Sequence, residues 1–216
     1  MSSLKYHYTT LCNTSSDINE HLPTLKAYAQ ECNSVFETGV RGVVSSYALL
    51  YGLVENINNT DKIIFLNDIH DCHINEFKKI AESNLISVKY EWISNLELEF
   101  LPNETFDLTF IDTWHVYGQL KRELNKFSKI TNKYIIMHDT ELDGIYGETK
   151  RPGGLYNDLY VSNNLDGLVN RTKIPKHEIL NGLQPAIDEF LSVNKNWIME
   201  KQYKNNNGLT ILKRIA

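Results

Sequence analysis

Short apolar runs alternate with amphipathic stretches along most of this chain, and the alternation predicts its architecture. Ser34–Thr38, Lys62–Asp68, Ile86–Trp92, Phe106–Asp112 and Tyr134–Asp139 are brief β-rich runs bounded by polar or glycine-bearing segments. Between them lie helical patterns. Ile74, Phe77, Ile80 and Ala81 share one face, and Leu120, Leu124 and Phe127 share the face of a helix expected from Tyr117 to Lys129. Upstream, in an N-terminal helical segment over 1–33, Asp17 with Glu20 three residues later reads as a capping box. The helix it opens carries Leu22, Leu25 and Tyr28, and Pro23 fits only its first turn. Strand and helix in strict alternation predict a mostly parallel sheet with helices on both faces.

After Asp139 the pattern changes. Glu141 to Pro175 holds five of the 11 Gly and two of the five Pro, without clear periodicity. A plain connection in a compact domain is rarely so long, so 141–180 is expected to be a lid or substrate loop inserted in the fold. A helix resumes from Pro185 to Val193. Trp197–Tyr203 and Leu209–Ile215 then read as a hairpin around Lys204–Gly208. Five strand–helix units closed by an antiparallel hairpin give a Rossmann-like α/β fold of seven strands, read as a single domain over 1–216. A dinucleotide-binding fold would instead repeat its βαβ unit in the second half.

Composition narrows the function classes. A chain of 216 residues with net charge −5 argues against a nucleic-acid-binding surface, which carries a basic excess. Cys12, Cys32 and Cys72 are odd in number, lack metal-ligand spacing and read as reduced thiols. No charged-then-apolar leader opens the sequence and no apolar run reaches membrane-spanning length, so a cytoplasmic protein without a membrane partner is expected.

The candidate chemistry sits at the strand ends, where open α/β sheets bind ligands. The first strand runs into Glu37-Thr38-Gly39, and Ser45 opens the following helix. Glycine permits a sharp turn and close approach of a ligand, and a helix N-terminus offers its unpaired N–H groups to an anion. Asp68 closes the second strand 29 residues after Gly39, placed to accept hydrogen bonds from the two hydroxyls of a ribose. The alternative is that it caps the following turn, and Asn67 and Asp71 compete with it for the ribose. The fourth strand delivers Asp112, with His115 three residues on, and the fifth delivers His138 and Asp139. Two carboxylates on adjacent strand ends can share a hard divalent cation. A metal-bound hydroxyl gives up its proton readily, and a histidine near neutrality can take it.

Glu37-x-Gly39 with Ser45, Phe110-Ile111-Asp112-x-Trp114-His115 and Ile136-Met137-His138-Asp139-Thr140 together resemble the class I S-adenosylmethionine-dependent O-methyltransferases. The nearest flavour is the metal-dependent branch, which includes catechol and macrolide-sugar O-methyltransferases and the cephalosporin-hydroxylase-like, rhamnosyl O-methyltransferase group. The resemblance implies that Glu37 and Gly39 shape the pocket for the methionine moiety and that Ser45 helps hold its carboxylate. Asp68 would bind the ribose, Ile93 and Ser94 would flank the adenine, and Trp114 would pack on the cofactor or in the core. Asp112 and Asp139 match metal ligands for Mg²⁺ or a similar ion, with His138 and Thr140 as further candidates. His115 matches the general base. Val43 departs from the pattern, which has glycine there; Gly42 is one residue away. The implied acceptor is a small hydroxylated molecule, a nucleotide-sugar or glycan precursor, with Arg151, Tyr156, Asp158 and Tyr160 lining its pocket. A homo-oligomer is compatible with this reading. The competing class is a protein that binds S-adenosylmethionine for regulation or scaffolding and transfers nothing.

Overall fold

The computed structural model describes residues 3–58, 61–151 and 158–215, and for 158–163 the backbone alone. Seven strands appear among them: β1 (Ser34–Thr38), β2 (Lys62–Asp68), β3 (Ile86–Trp92), β4 (Phe106–Ile111), β5 (Thr131–His138), β6 (Trp197–Tyr203) and β7 (Leu209–Arg214). They form one sheet in the order β3-β2-β1-β4-β5-β7-β6. β1 pairs in parallel with β2 and β4, β2 in parallel with β3, and β6 with β7 antiparallel. This is the mostly parallel seven-stranded α/β fold with a closing hairpin that the periodicity predicts. By compactness the chain divides into two units, Met1–Asp112 with Ile130–Ile136, and Thr113–Lys129 with Met137–Ala216.

In the first unit the helices α1 (Ser3–Asn13), α2 (Leu22–Ala29), α3 (Val44–Glu55) and α4 (Asn75–Ser83) accompany β1 to β4. Phe36, Phe65 and Phe106 are fully buried and pack around Phe100, with ring centroids 5.1 Å apart for Phe36–Phe65 and 5.6 Å for Phe36–Phe106. Each such ring taken from water contributes about 2–3 kcal/mol. α2 and α3 approach closely at Gly52, where a Cβ would lie 2.3 Å from the Lys26 carbonyl oxygen. A 3-10 turn over Asn19–His21 precedes α2, which starts at Leu22 with no side-chain cap at His21, and Asp17 takes a hydrogen bond from Arg41 Nη2 at 2.7 Å.

The second unit holds α5 (Tyr117–Phe127), α6 (Asp158–Thr172), α7 (Lys176–Ile179), α8 (Gln184–Val193) and the β6–β7 hairpin. The segment 141–180, expected to be a loop, carries a 3-10 turn over Glu148–Lys150 and the helices α6 and α7. α6 is largely polar, so its period is faint in the sequence. Leu165 and Leu168 nonetheless meet Ile174 and Ile179 in a small core of their own. Among the described residues no helix is long and apolar enough to cross a membrane.

Candidate functional site

Two polar clusters stand out, one in each unit. The first begins where β1 ends. The β1 side chains are buried from Val35 onward, so the strand carries Glu37 inward to full burial. Ser45, in the first turn of α3, donates its hydroxyl to Glu37 Oε1. Glu37 Oε2 is buried with no hydrogen-bond partner among the described residues. Desolvation pushes this carboxyl up to about 8, and the charges of Asp112 and Asp68 add to the rise, while the neighbouring Ser45 and Ser46 hydroxyls work against it. Gly39 sits at φ 91° and donates its N–H to the Asn67 carbonyl at 2.9 Å, which turns the chain sharply out of the strand. Arg41 at φ 44° and Val43 at φ 55° continue this left-handed loop into α3. Gly42 does not take over the glycine role one residue early, because the left-handed conformation falls on Val43 itself. A β-branched residue there is strained, and strain of this kind collects at ligand-binding loops.

Asp68 lies beside that loop. Its Oδ2 accepts the Arg41 N–H at 2.9 Å and its Oδ1 the His70 N–H at 3.0 Å, so it caps turns with both oxygens. Each oxygen keeps a second lone pair for a ligand. Asn67 is not a rival for that role: its buried amide accepts from Thr38 Oγ1 and donates to the Glu91 and Ile93 carbonyls. Asp71 is exposed and accepts from the His73 N–H. Buried Asn95 donates to Thr38 Oγ1 at 3.0 Å, tying the segment after β3 to the end of β1. Ile93 is an exposed apolar side chain and Ser94 is half-buried. Asp112, half-buried, donates its backbone N–H to the Thr38 carbonyl at 2.9 Å. The unpartnered Glu37 oxygen under a glycine turn fits the cationic amino end of an amino-acid-bearing cofactor.

The second cluster gathers on His115. Its Nδ1 lies 3.0 Å from Asp139 Oδ2, 3.2 Å from Asp143 Oδ2 and 3.7 Å from Glu148 Oε2. The backbone holds this arrangement: Glu148 donates its N–H to the His115 carbonyl at 2.8 Å and takes the His115 N–H on Oε2 at 3.3 Å. Asp139 ends β5 at φ 57°, a left-handed position that Asp tolerates better than most residues. Arg151 closes the group. Its Nε donates to Asp143 Oδ1 at 3.0 Å, its Nη2 to Asp143 Oδ2, and Nη2 reaches Asp139 Oδ2 at 3.4 Å. Burial works to raise the Asp143 carboxyl, but His115 and Arg151 outweigh it and hold it below the ordinary carboxylate range. The Arg151 guanidinium is shifted upward, chiefly by its hydrogen bond to Asp143. His115, Asp139 and Asp143 each offer one ligand atom, all within 4.8 Å of one another, a donor set that suits a divalent cation once the guanidinium is set aside.

The remaining expected residues are placed as follows. His138 is buried, with Nε2 3.3 Å from the Asn206 carbonyl, and Thr140 accepts from Thr210 Oγ1 at 2.9 Å. Both side chains therefore hold β5 to the hairpin. Trp114 packs against Leu165, Leu168, Ile174 and Ile179, a core position. Tyr156 and the side chains of Asp158 and Tyr160 lie outside the described residues. Sequence reading missed Asp143 and Glu148. Only the spacing of four between Asp139 and Asp143, which a tight turn after a strand brings together, hints at the first.

No protein-family model and no curated protein matches the sequence. Solved structures do match its fold. Among them are an O-methyltransferase from Bacillus cereus in complex with S-adenosylhomocysteine (14% identity, 99% of this chain and 91% of that one, TM-score 0.58). Another is the O-methyltransferase TomG from Streptomyces achromogenes with S-adenosylmethionine (11%, 97% and 90%, TM-score 0.57). A third is the methyltransferase PaMTH1 from Podospora anserina with S-adenosylhomocysteine bound (15%, 99% and 88%, TM-score 0.55). The fold is thus the Rossmann-like α/β fold of the methyltransferases.

Proposed function

We propose that this chain, taken as one domain over 1–216, is an S-adenosylmethionine-dependent O-methyltransferase. Its acceptor would be a hydroxyl of a small molecule, a sugar or glycan precursor, with a divalent cation assisting in the cytoplasm. The observation that carries the reading is the end of β1. A buried carboxylate with an unpartnered oxygen stands there beside a left-handed loop that opens α3, on a fold it shares with cofactor-bound methyltransferases.

Bound at that loop, the cofactor supplies an electrophilic sulfonium methyl, and a divalent cation would lower the proton affinity of the acceptor hydroxyl. Glu37 and Gly39 receive the methionine end, and the α3 N-terminus with Ser45 its carboxylate. Asp68 accepts the ribose hydroxyls, and Ile93 and Ser94 flank the base. His115 would take the proton of the acceptor hydroxyl as its oxygen receives the methyl group. Its Nδ1 faces the carboxylates, which leaves Nε2 as the acid–base atom. Asp139, Asp112, His138 and Thr140 form the ligand proposal on their motif positions.

A second acceptor class has its own observation. Leu142, Ile145 and Tyr146 are exposed on either side of buried Asp143, an apolar lip that suits a phenol better than a sugar. Cofactor turnover measured against a panel of nucleotide-sugars and phenols, with and without Mg²⁺, decides between them. Turnover with neither class, in a protein that binds S-adenosylmethionine, would return the chain to a regulatory or scaffold role.

A further inference from the structure

We infer that Arg151 is a built-in counter-cation for the Asp139–Asp143 pair, and that a divalent cation reaches these carboxylates only by displacing it. The inference bears on the metal part of the proposed function but does not need methyl transfer to be true.

The geometry is that of an occupied cation site. Asp143 is 1% and Asp139 5% exposed, so neither carboxylate can rely on water for its charge. Arg151 engages both oxygens of Asp143 through Nε and Nη2, the two-pronged grip that a guanidinium makes on a carboxylate. The same Nη2 lies 3.4 Å from Asp139 Oδ2. His115 Nδ1 faces Asp139 Oδ2 and Asp143 Oδ2 from its own side, at 3.0 and 3.2 Å. A metal bound by Asp139 and Asp143 would need the Asp oxygens that Arg151 now engages. An independent observation marks the place as built to hold more. Asp139 Oδ1 is buried and makes no hydrogen bond among the described residues, with His138 Nδ1 at 3.6 Å. A buried carboxylate oxygen left so is costly unless something completes its shell at times. Arg151 and a metal are thus alternative occupants of one carboxylate pair, and metal affinity is set by how firmly the arginine holds.

The test is Mn²⁺ binding by the full-length protein, without cofactor or acceptor, followed by calorimetry and by the paramagnetic relaxation of water protons. Wild type should bind weakly. Arg151→Gln should bind roughly tenfold tighter or more, because it frees the carboxylates and removes a competing positive charge. Adding Asp143→Asn to Arg151→Gln should abolish the gain. Arg151→Lys keeps the charge but loses the fork, and should fall between the two; it carries the test if the glutamine variant does not fold. Equal affinity in wild type and variant, tighter binding in wild type, or no binding to either would each overturn the inference. Because no methyl transfer is measured, a protein that fails the acceptor panel can still pass here, and the reverse.

Discussion

Replacing Glu37 by Gln should change how the fold responds to pH. The Glu37 carboxyl is fully buried and pushed up to about 8 from an ordinary value near 4.5. Below the lower value both folded and unfolded chains carry the proton, and the group leaves stability unchanged. Between the two values the folded chain keeps a proton that the unfolded chain releases, so stability falls as pH rises; above the upper value the loss is complete. The gap, at about 1.4 kcal/mol for each tenfold in proton affinity, gives a ceiling of about 5 kcal/mol. Rearrangement around the ionised carboxylate lowers it, and we expect about 2 kcal/mol or more. Glu37→Gln keeps an acceptor for the Ser45 hydroxyl and carries no ionisable group, so its stability should lack this component. Urea unfolding at pH 5, 7 and 9 measures the difference. Wild type should lose stability relative to the variant across that range. Two curves that stay parallel would refute the burial argument and would mean that Glu37 ionises with little penalty.

Three further substitutions probe the clusters separately. Val43→Gly relieves a left-handed residue that costs a β-branched side chain about 1–2 kcal/mol, against roughly 0.5–1 kcal/mol for the added freedom of glycine, so thermal unfolding should show a small net stabilisation. An unchanged or lowered melting temperature would mean that Val43 packing outweighs the strain. His115→Ala should lower kcat by roughly a hundredfold with cofactor affinity almost unchanged, while His138→Ala should spare turnover and weaken the hold on the hairpin. The opposite pattern under saturating cofactor would move the base to His138.

The central strands were legible in the sequence because a buried strand writes its apolar run in consecutive residues, and the less buried edge strands β3 and β6 because aromatic and β-branched residues stand between turn signals. The bounds expected for β1, β2, β3 and β6 coincide with those observed. β5 starts at Thr131 rather than Tyr134, since Thr131 is itself buried and bonded to Thr109. The acids at strand ends were legible for the same reason: the run stops and the carboxylate follows. Asp143, Glu148 and the role of Arg151 were not, because their meaning lies in contacts across long sequence separations. Glu148 meets His115 from 33 residues away, and Gly147, at φ 70°, turns the chain where a Cβ would lie 3.0 Å from the His115 carbonyl oxygen. α6 was missed because a mostly polar helix with few inward positions has a weak period, and those positions serve a small local core.

The two clusters solve one electrostatic problem in different ways, and the difference constrains what each can bind. A buried carboxylate must be neutralised by a proton or by a neighbouring cation. Burial and the acids Asp68 and Asp112 push Glu37 towards its neutral form, against the hydroxyls of Ser45 and Ser46, so a proton is its means. Asp143 has Arg151 and His115 against it and is held ionised by them. A cationic ligand arriving at Glu37 therefore displaces a proton and leaves the side chains where they are. A cation arriving at Asp139 and Asp143 must displace a side chain of the protein itself. Binding at the first cluster should accordingly be sensitive to pH, through the proton on Glu37. Binding at the second should be sensitive to the identity of residue 151. If S-adenosylmethionine affinity proved flat from pH 6 to 9 while Arg151→Gln left Mn²⁺ affinity untouched, neither carboxylate would be managed as its surroundings indicate.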